Sequence, residues 1–443
     1  MATDRPDAAP LTVPPIGRRF VVDGSWQRFG RVLIAGSPLR IFRVTERGAD
    51  TLAAIERGEP VDPSRLVDRL LDGGAIHPSF GASPDAAPRA PDSHFVSGPL
   101  ARDVTIVTPQ LGGTVAGDGR VVIDDGSDPP LRGATSRLPV NRGPAAARNA
   151  GRSFVDTALV AFVDADVDLP DGWLEPLLDH FEDPRVGLVA PRVLGEAGSP
   201  LDLGSAPARI RAGTRVSYVP GAAIVLRAEA FDAVGGFDEL LRFGEDVDLV
   251  WRLDEQGWRC RYEPASTVWH RPRPALAGRM RQHAGYGTSA APLALRHPGA
   301  LAPMRTNGWT AAVWALLVAG HPVTAVALAA GSAAALVPKL PDVPPAAAFR
   351  LAMHGHLGAA RQVASAVRRV WWPVVAVGAI ASKRARWIAA VSILADVRAA
   401  PTDAAYGWGV WKGMIRHHTI APIVPRLAAW PTPRPARRYR RAA

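Results

Sequence analysis

Leu159-Val160-Ala161-Phe162-Val163-Asp164-Ala165-Asp166-Val167 decides how the rest of this chain is read. The apolar run, rich in β-branched and aromatic side chains, makes a buried strand, and it stops at two carboxylates one residue apart. Residues i and i+2 share a strand face, so Asp164 and Asp166 repel each other unless a cation or a polar ligand lies between them. Mg2+ or Mn2+ fits that place, because hard cations take oxygen ligands and keep positions open for substrate phosphates. Taken alone, the pair reads equally as a strand-end turn with solvated acids.

From Asp103 to about Arg271, apolar strands at Val104–Val107, Val121–Ile123, Ala158–Val163 and Val186–Ala190 alternate with helical stretches. That alternation predicts an α/β fold with a doubly wound, mostly parallel sheet, whose ligands bind beyond the carboxyl ends of the strands. Those ends are polar: Thr108-Pro109, Asp124-Asp125-Gly126-Ser127 and Asp164-Ala165-Asp166. Asn141 to Gly151 reads as a helix entry with Arg148 and Asn149 on an exposed face, within reach of phosphate or a metal site. Pro220-Gly221 offers a residue without Cβ for close approach of a substrate, or a plain turn. Gly244-Glu245-Asp246-Val247-Asp248 puts acids at a helix start, a position the helix dipole favours in any case. Val268-Trp269-His270 ends a strand with an imidazole able to complete a metal site, although a lone His is usually not a ligand.

Outside that region the composition changes. Residues 1–19 are a Pro-rich leader without an apolar secretory segment. Within 20–80, Val32-Leu33-Ile34-Ala35 and Arg40-Ile41-Phe42-Arg43-Val44 read as strands around Gly36-Ser37-Pro38; a helix follows from Thr45 through Ile55, and a second near Pro63–Leu71. This is a winged-helix-like binding module. Residues 81–100 are a Pro, Ala and Ser-rich linker, and 101–295 hold the alternating sheet. Residues 296–433 are apolar and basic, and 434–443 are a basic tail. Residues 296–443 carry a net +16 while the first 295 sum to −5, so basicity belongs to the C-terminal third. A nucleic-acid partner is disfavoured and an anionic membrane face is favoured. Residues 309–338, interrupted at His321-Pro322, suit one tilted span with a kink or two half-spans in a hairpin. The shorter runs 370–381 and 387–395 suit interfacial insertion. A single cysteine, Cys260, fits a reducing compartment.

The set Asp124-Asp125-Gly126-Ser127, Asn141 through Ala147-Arg148-Asn149-Ala150-Gly151, Phe162-Val163-Asp164-Ala165-Asp166, Pro220-Gly221, Gly244-Glu245-Asp246 and His270 resembles the family 2 glycosyltransferases of the GT-A fold, over roughly residues 103–275. The resemblance implies a metal-dependent inverting hexosyltransferase with Mg2+ or Mn2+ held by Asp166 and His270. It makes Asp246 the general base and Glu245 the residue that positions the acceptor. Pro109, Asp124, Asp125, Arg148, Asn149, Asp164 and Gly221 would bind the nucleotide-sugar, with Asp124 on the base and Gly221 toward the acceptor. The whole layout is similar to the mycofactocin-system glycosyltransferases of actinobacteria. This implies UDP-glucose as donor, a peptide-derived redox cofactor or its precursor as acceptor, recognition of peptide by 20–80, and a cell-membrane location with the catalytic domain on the cytoplasmic side.

One departure stands out. Only Gln110–Arg120 joins the first two strands, without helical periodicity, whereas parallel crossovers normally take a dozen or more residues and a helix. Either the helix is lost or the two strands pair differently. The same feature motivates the alternative of a membrane-tethered peptide-binding scaffold with a degenerate transferase core. No G-x-G-x-x-G follows the first strand, which sets aside a dinucleotide oxidoreductase.

Overall fold

The computed structural model describes residues 17–80, 103–195, 199, 201–271 and 276–428. The leader to residue 16, the linker 81–100 and the tail 434–443 lie outside the described residues. The N-terminal region contains β1 (Arg19–Val22), β2 (Gln27–Phe29), β3 (Val32–Ala35), β4 (Arg40–Arg43), α1 (Glu46–Glu56), α2 (Arg65–Gly73) and β5 (Ile76–Ser79). β2, β3 and β4 form an antiparallel meander, and β5 returns antiparallel to β1. Thr45 and Ser64 cap the two helices by accepting from the Gly48 and Val67 N–H groups, which satisfies otherwise orphaned donors. Leu33, Phe42, Leu52, Ile55, Val67 and Leu70 close its core. The strands β1, β2 and β5 escaped the sequence reading because they are short and β1 and β2 are largely exposed.

The sheet follows with β6 (Val104–Gln110), β7 (Val121–Asp124), β8 (Ser136–Arg137), α3 (Pro144–Arg152), β9 (Leu159–Val163), β10 (Val167–Asp168), α4 (Glu175–Leu178), β11 (Val186–Leu194), β12 (Ala208–Ile210), β13 (Ala223–Arg227), α5 (Ala228–Ala233), α6 (Glu245–Glu255) and β14 (Arg259–His270). Its order is β10-β14-β11-β13-β9-β6-β7-β8, with β12 beside β14. Six of the nine strands run one way; β10, β12 and β13 run against them. The sheet is therefore mostly parallel, as the alternation predicts, with the Gly221 strand inserted in reverse. All of β9 is buried, as a strand covered on both faces must be. Leu159, Ala161 and Val163 pack with Trp173, Leu177 and Phe181, while Phe162 meets Phe231 and Phe237 at ring separations of 5.1 and 5.3 Å.

Two expectations need correction. Asp164 and Asp166 do not share the face of an extended strand. The Val167 N–H bonds the Asp164 carbonyl at 3.1 Å, a turn that reverses the chain into β10 and sends the two carboxylates to different partners. Arg148, expected on an exposed helix face, is buried, because α3 packs that face onto β6 and β7. The short connection also has an answer. β6 and β7 keep their parallel pairing, from Val107↔Val121 to Gln110↔Asp124. The chain thus has only three residues of rise to retrace, roughly 10 Å, and residues 111–120 do so without a helix. Gln110 clamps the loop by donating to the Gly112 and Thr114 carbonyls at 3.0 Å, and Ser127 Oγ accepts from the Gly112 N–H at 2.8 Å.

The module is joined to the sheet by charge. Asp68 and Asp72, one turn apart on α2, meet Arg185, Arg259 and Arg209 at 2.8–3.1 Å.

A second unit, residues 273–443, holds α7 (Leu276–Thr288), α8 (Ala290–Arg296), α9 (Gly308–Ala319), α10 (Pro322–Ala334), α11 (Pro345–Ala366), α12 (Trp372–Ala381), α13 (Lys383–Leu394) and α14 (Ala400–Arg416), with β15 (Arg305–Asn307) pairing β16 (Arg426–Ala428). Gly320, at φ +84°, ends α9, and α10 folds back on it through Val313, Ala325 and Ala329. Buried His356 of α11 bridges Thr310 and Ser332, each at 2.9 Å, tying the three helices together. The run 370–381, read as a short interfacial segment, instead continues α11 through a π turn at Val367–Trp371. Arg368 and Arg369 hid this continuity; they are matched by Asp403 and the Tyr406 ring. Pro322–Lys339 and Pro345–Ala381 are long and apolar enough to cross a membrane by length and composition.

Asp183 sits under the module with Arg259 at 2.8 Å and Arg185 at 3.2 Å. Burial opposes its ionisation, but those two charges and the Arg185 N–H outweigh it and hold its carboxyl down at about 2, against an ordinary 3.8. A depressed carboxylate stabilises the fold above its unfolded value and loses that contribution as pH falls through the folded one. The loss is worth about 2 kcal/mol. Thermal melts from pH 5 downward are expected to fall more steeply for the native chain than for Asp183→Asn; parallel curves exclude this assignment.

Candidate active site

Three segments converge on α3. Its first residue is Pro144, whose fixed φ suits a helix start, and its N-cap Gly143 provides no side chain. Asp125, at the end of β7, does the capping instead, accepting from the Arg142 and Gly143 N–H groups at 2.7 and 2.8 Å. Gly126 beside it has φ +74°, and a Cβ there would stand 2.4 Å from the Asn141 nitrogen, so the turn requires glycine. Helix α3 is thereby fixed with Arg148 pointing inward.

Arg148 brings the separate motifs together. Its Nη2 donates to Asp164 Oδ1 at 2.6 Å and to the Gly221 carbonyl at 3.2 Å, and its Nη1 donates to Glu245 Oε1 at 3.0 Å. The Phe237 ring lies 5.2 Å from the guanidinium carbon, close enough for a cation–π contact. Asp246 faces the same place: its Oδ2 accepts from the Gly221 N–H at 2.9 Å and its Oδ1 from the Val247 N–H at 2.8 Å. Gly221 is hemmed in, since a Cβ would sit 3.2 Å from Arg148 Nη2 and 3.4 Å from Asp246 Cβ. Asp164 also donates its N–H to the Ala222 carbonyl at 2.9 Å, so β9 and the approach to β13 are locked in register at the site.

Asp166 and His270 form the neighbouring pair. The antiparallel β10–β14 ladder pairs Val167 with His270 and sets Asp166 Oδ2 3.5 Å from His270 Nε2. Among the described residues no group of three or more His, Cys, Asp or Glu stands at metal-holding spacing. This pair therefore offers two donors, one hard and one borderline. That fits a cation completing its shell with substrate phosphate and water.

One guanidinium here faces Asp164, Glu245 and Asp246, so negative charge is in excess. Burial raises the Asp164 carboxyl, and Arg148 only partly offsets it. Burial and then Asp246 push Glu245 up to about 7; burial likewise raises Asp246 against the bonds from Gly221 and Val247. Such a surplus favours a cation or a proton in the site.

The remaining expected residues build walls. Asp124 is fully buried; its carboxylate accepts from the Ser127 and Leu131 N–H groups at 2.8 and 3.1 Å, with Arg137 Nε at 3.3 Å. Burial raises its pKa, but the Ser127 and Leu131 bonds and the Arg137 charge carry it below the ordinary value. Pro109 is buried opposite Ile123 in the β6–β7 ladder. Asn149 stands apart from the cluster: it donates to the Phe237 carbonyl at 2.8 Å and accepts from the Phe237 N–H at 2.9 Å, holding that loop under Arg148. Phe237 itself was missed, and only an aromatic after Gly235-Gly236 marked it.

Two family models match the chain: Glycosyl transferase family 2 over residues 121–209 and Glycosyltransferase like family 2 over residues 204–286. The pre-mycofactocin glycosyltransferase of Mycobacterium tuberculosis is 35% identical over an alignment 489 positions long, covering 96% of this chain and 99% of that protein. The succinoglycan biosynthesis protein ExoA of Rhizobium meliloti is 33% identical over 141 residues, covering 29% of this chain and 43% of its own. Among solved structures, S. aureus TarS matches at 15% identity and a TM-score of 0.33 over 43% of this chain and 65% of its own.

Replacing Arg148 by Met leaves Asp164 and Glu245 without their cation. Breaking a buried ion pair from one side costs about 3–5 kcal/mol. Arg148→Met is therefore expected to lower the denaturant midpoint far more than Asn149→Ala, which removes one loop clamp. Equal losses would show that Arg148 is not the hub.

Proposed function

The chain belongs to glycosyl transferase family 2, and from that membership we propose that it moves a hexose, with UDP-glucose as first candidate donor, to a hydroxyl of the peptide-derived redox cofactor mycofactocin or its precursor. The observation that carries this reading is the reach of the likeness to the pre-mycofactocin glycosyltransferase. It extends over 96% of this chain and so takes in the N-terminal and helical regions, whereas ExoA matches 29%. The N-terminal module is the peptide-recognition element in this reading. The helical unit attaches the catalytic domain to the cytoplasmic face of the cell membrane, supported by its two long apolar stretches and by the +16 charge of residues 296–443.

In the reaction, Asp246 takes the proton from the acceptor hydroxyl while that oxygen attacks the anomeric carbon from the face opposite the departing diphosphate, inverting it. The Gly221 and Val247 N–H groups hold the Asp246 carboxylate in place for this step. Glu245, pinned by Arg148, orients the acceptor, and Gly221 lets it approach. Asp166 and His270 hold the Mg2+ or Mn2+, which when bound offsets charge on the leaving diphosphate. Asp124, Asp125 and Pro109 shape the wall for the nucleotide base, and Asp164 faces its ribose and phosphates. Arg148 and Asn149 serve that binding by positioning their neighbours. Gly112 in the loop 111–120 donates to Ser127 Oγ, which ties the loop to the Asp124 turn.

The test is UDP release from candidate UDP-hexoses with mass spectrometry of the product. Asp246→Asn is expected to lower kcat by about a hundredfold or more, the usual contribution of a positioned base, and Asp166→Asn to lower it by removing one of the two groups that would hold the metal. Turnover that survives both variants rejects the reading.

The raised carboxyls give a second test. A base must be ionised, so activity falls as pH drops below the raised value, and Glu245 stands at about 7 beside Asp246. Glu245→Gln removes a negative neighbour, so Asp246 ionises more easily and the acid limb of kcat/KM moves to lower pH. A limb that stays put excludes the coupling.

A further inference from the structure

Two apolar helices of the second unit leave an opening that their own side chains do not fill. α9 starts at Gly308 and α10 ends at Ala334, and because α10 folds back on α9 these two ends lie together. Between them runs a groove of about 420 Å3, lined by Trp309, Leu328, Gly331, Ser332, Ala335 and Lys339. Its floor is apolar because its one hydroxyl is already engaged: Ser332 Oγ donates to the Ala329 carbonyl at 2.9 Å and meets His356 Nε2 at 2.9 Å. Gly331 deepens the groove, since a Cβ built there has nothing within 4 Å.

The rim of this groove is aromatic and basic. Trp309 and Lys339 are of the types that settle where hydrocarbon meets water, the indole at headgroup level and the ammonium reaching outward. The chain enters α9 through β15, where Arg305 lies directly opposite Arg426 of β16. Like charges so placed repel, and neither guanidinium is matched by a carboxylate among the described residues. The surroundings cannot neutralise them: residues 276–428 hold sixteen Lys and Arg against Asp342, Asp396 and Asp403, and the last two already face Arg368 and Arg369. An apolar slot thus opens at an end of the hairpin where positive charge is in excess.

We propose that this groove is a site for one anionic phospholipid, an acyl chain lying over Leu328, Gly331 and Ala335 and the phosphate held at the rim by Lys339. The inference rests on the membrane attachment proposed above and adds to it a single lipid of stated charge. Basic pockets between apolar helices are where anionic headgroups bind. The size of the groove selects the occupant. One turn of an α-helix with its side chains is about 10–12 Å across and 5.4 Å tall, so it alone would fill about 400–600 Å3. A groove of about 420 Å3 therefore cannot seat a partner helix along its length, whereas a slender acyl chain fits. A soluble polar ligand finds no hydrogen-bonding group on the floor, since Ser332 is engaged. The lipid would fill the space between α9 and α10 and bring a negative charge to a unit that lacks acids of its own.

The test is native mass spectrometry of the full-length protein, delipidated in detergent and then given phosphatidylglycerol or phosphatidylcholine, with flotation on vesicles of each lipid as the check on attachment. The native chain is expected to retain one phosphatidylglycerol and to prefer it to phosphatidylcholine by about tenfold, the factor that one charge-assisted hydrogen bond is worth. Lys339→Gln is expected to lose that preference. Gly331→Leu fills the groove where a side chain meets open space. It is expected to retain neither lipid, to float as the native chain does, and to melt no lower, because leucine also favours a helix. A chain that floats with neither vesicle overturns the attachment and the site together. A chain that floats but retains no phosphatidylglycerol, retains both lipids equally, or retains as much in Gly331→Leu, overturns the site alone. A lipid-free dimer, in which a second copy covers the groove, overturns it as well.

Discussion

The guanidinium of Arg148 is the constraint on which the candidate site rests. Motifs scattered from residue 125 to residue 270 would each be ordinary alone: a strand-end turn, a glycine turn, a helix start rich in acids. A single cation buried among Asp164, Glu245 and the Gly221 carbonyl makes them one object. Its position is itself set by chemistry two elements away, because Asp125 caps α3 and α3 carries Arg148. The cluster keeps more negative charge than Arg148 can neutralise. That surplus favours a cation or a proton in the site.

The same logic of matched charge operates at the other end of the sheet. β14 runs twelve residues from Arg259 to His270, roughly 35–40 Å at the usual rise. One end docks the module through Asp68 and Asp72 and the other presents the imidazole beside Asp166. Helix α6 links the same two regions, with Glu245 at its start and Asp254 near its end. The module is therefore braced against the two elements that carry the proposed base and one proposed metal ligand. This arrangement ties the module and the candidate site to a shared framework.

Much of this was legible because strands buried on both faces announce themselves. Leu159 to Val163 reads as a central strand from composition alone, and every residue in it is buried. The polar strand ends marked the site for the same reason: apolar runs stop where the sheet meets a ligand. What could not be read was direction and partnership. Nothing in Ala223–Arg227 says that it runs antiparallel between two parallel strands. Nothing local told that Arg148 would be buried, since its burial depends on carboxylates sixteen and ninety-seven residues away. Asn149 diverges from its neighbour because adjacent helix residues point about 100° apart, and its amide holds the Phe237 loop. The continuity of α11 into α12 was hidden by Arg368 and Arg369, whose partner Asp403 lies a helix away.

The short crossover shows how a parallel pair manages without a connecting helix. A helix between parallel strands normally does two things: it returns the chain to the starting edge and covers one sheet face. Here the first task shrinks, because β7 is four residues long and pairs only with the last part of β6. A clamped glycine-bearing loop is enough for a return of that length. The second task passes partly to α3, which packs on both β6 and β7, leaving Val104 and Ile106 only partly buried against the core. The Asp124 turn is untouched, since its carboxylate is satisfied by the Ser127 and Leu131 N–H groups that follow it in the chain. A short connection beside the proposed nucleotide wall therefore costs coverage of the sheet edge, and the turn that shapes that wall keeps its own support.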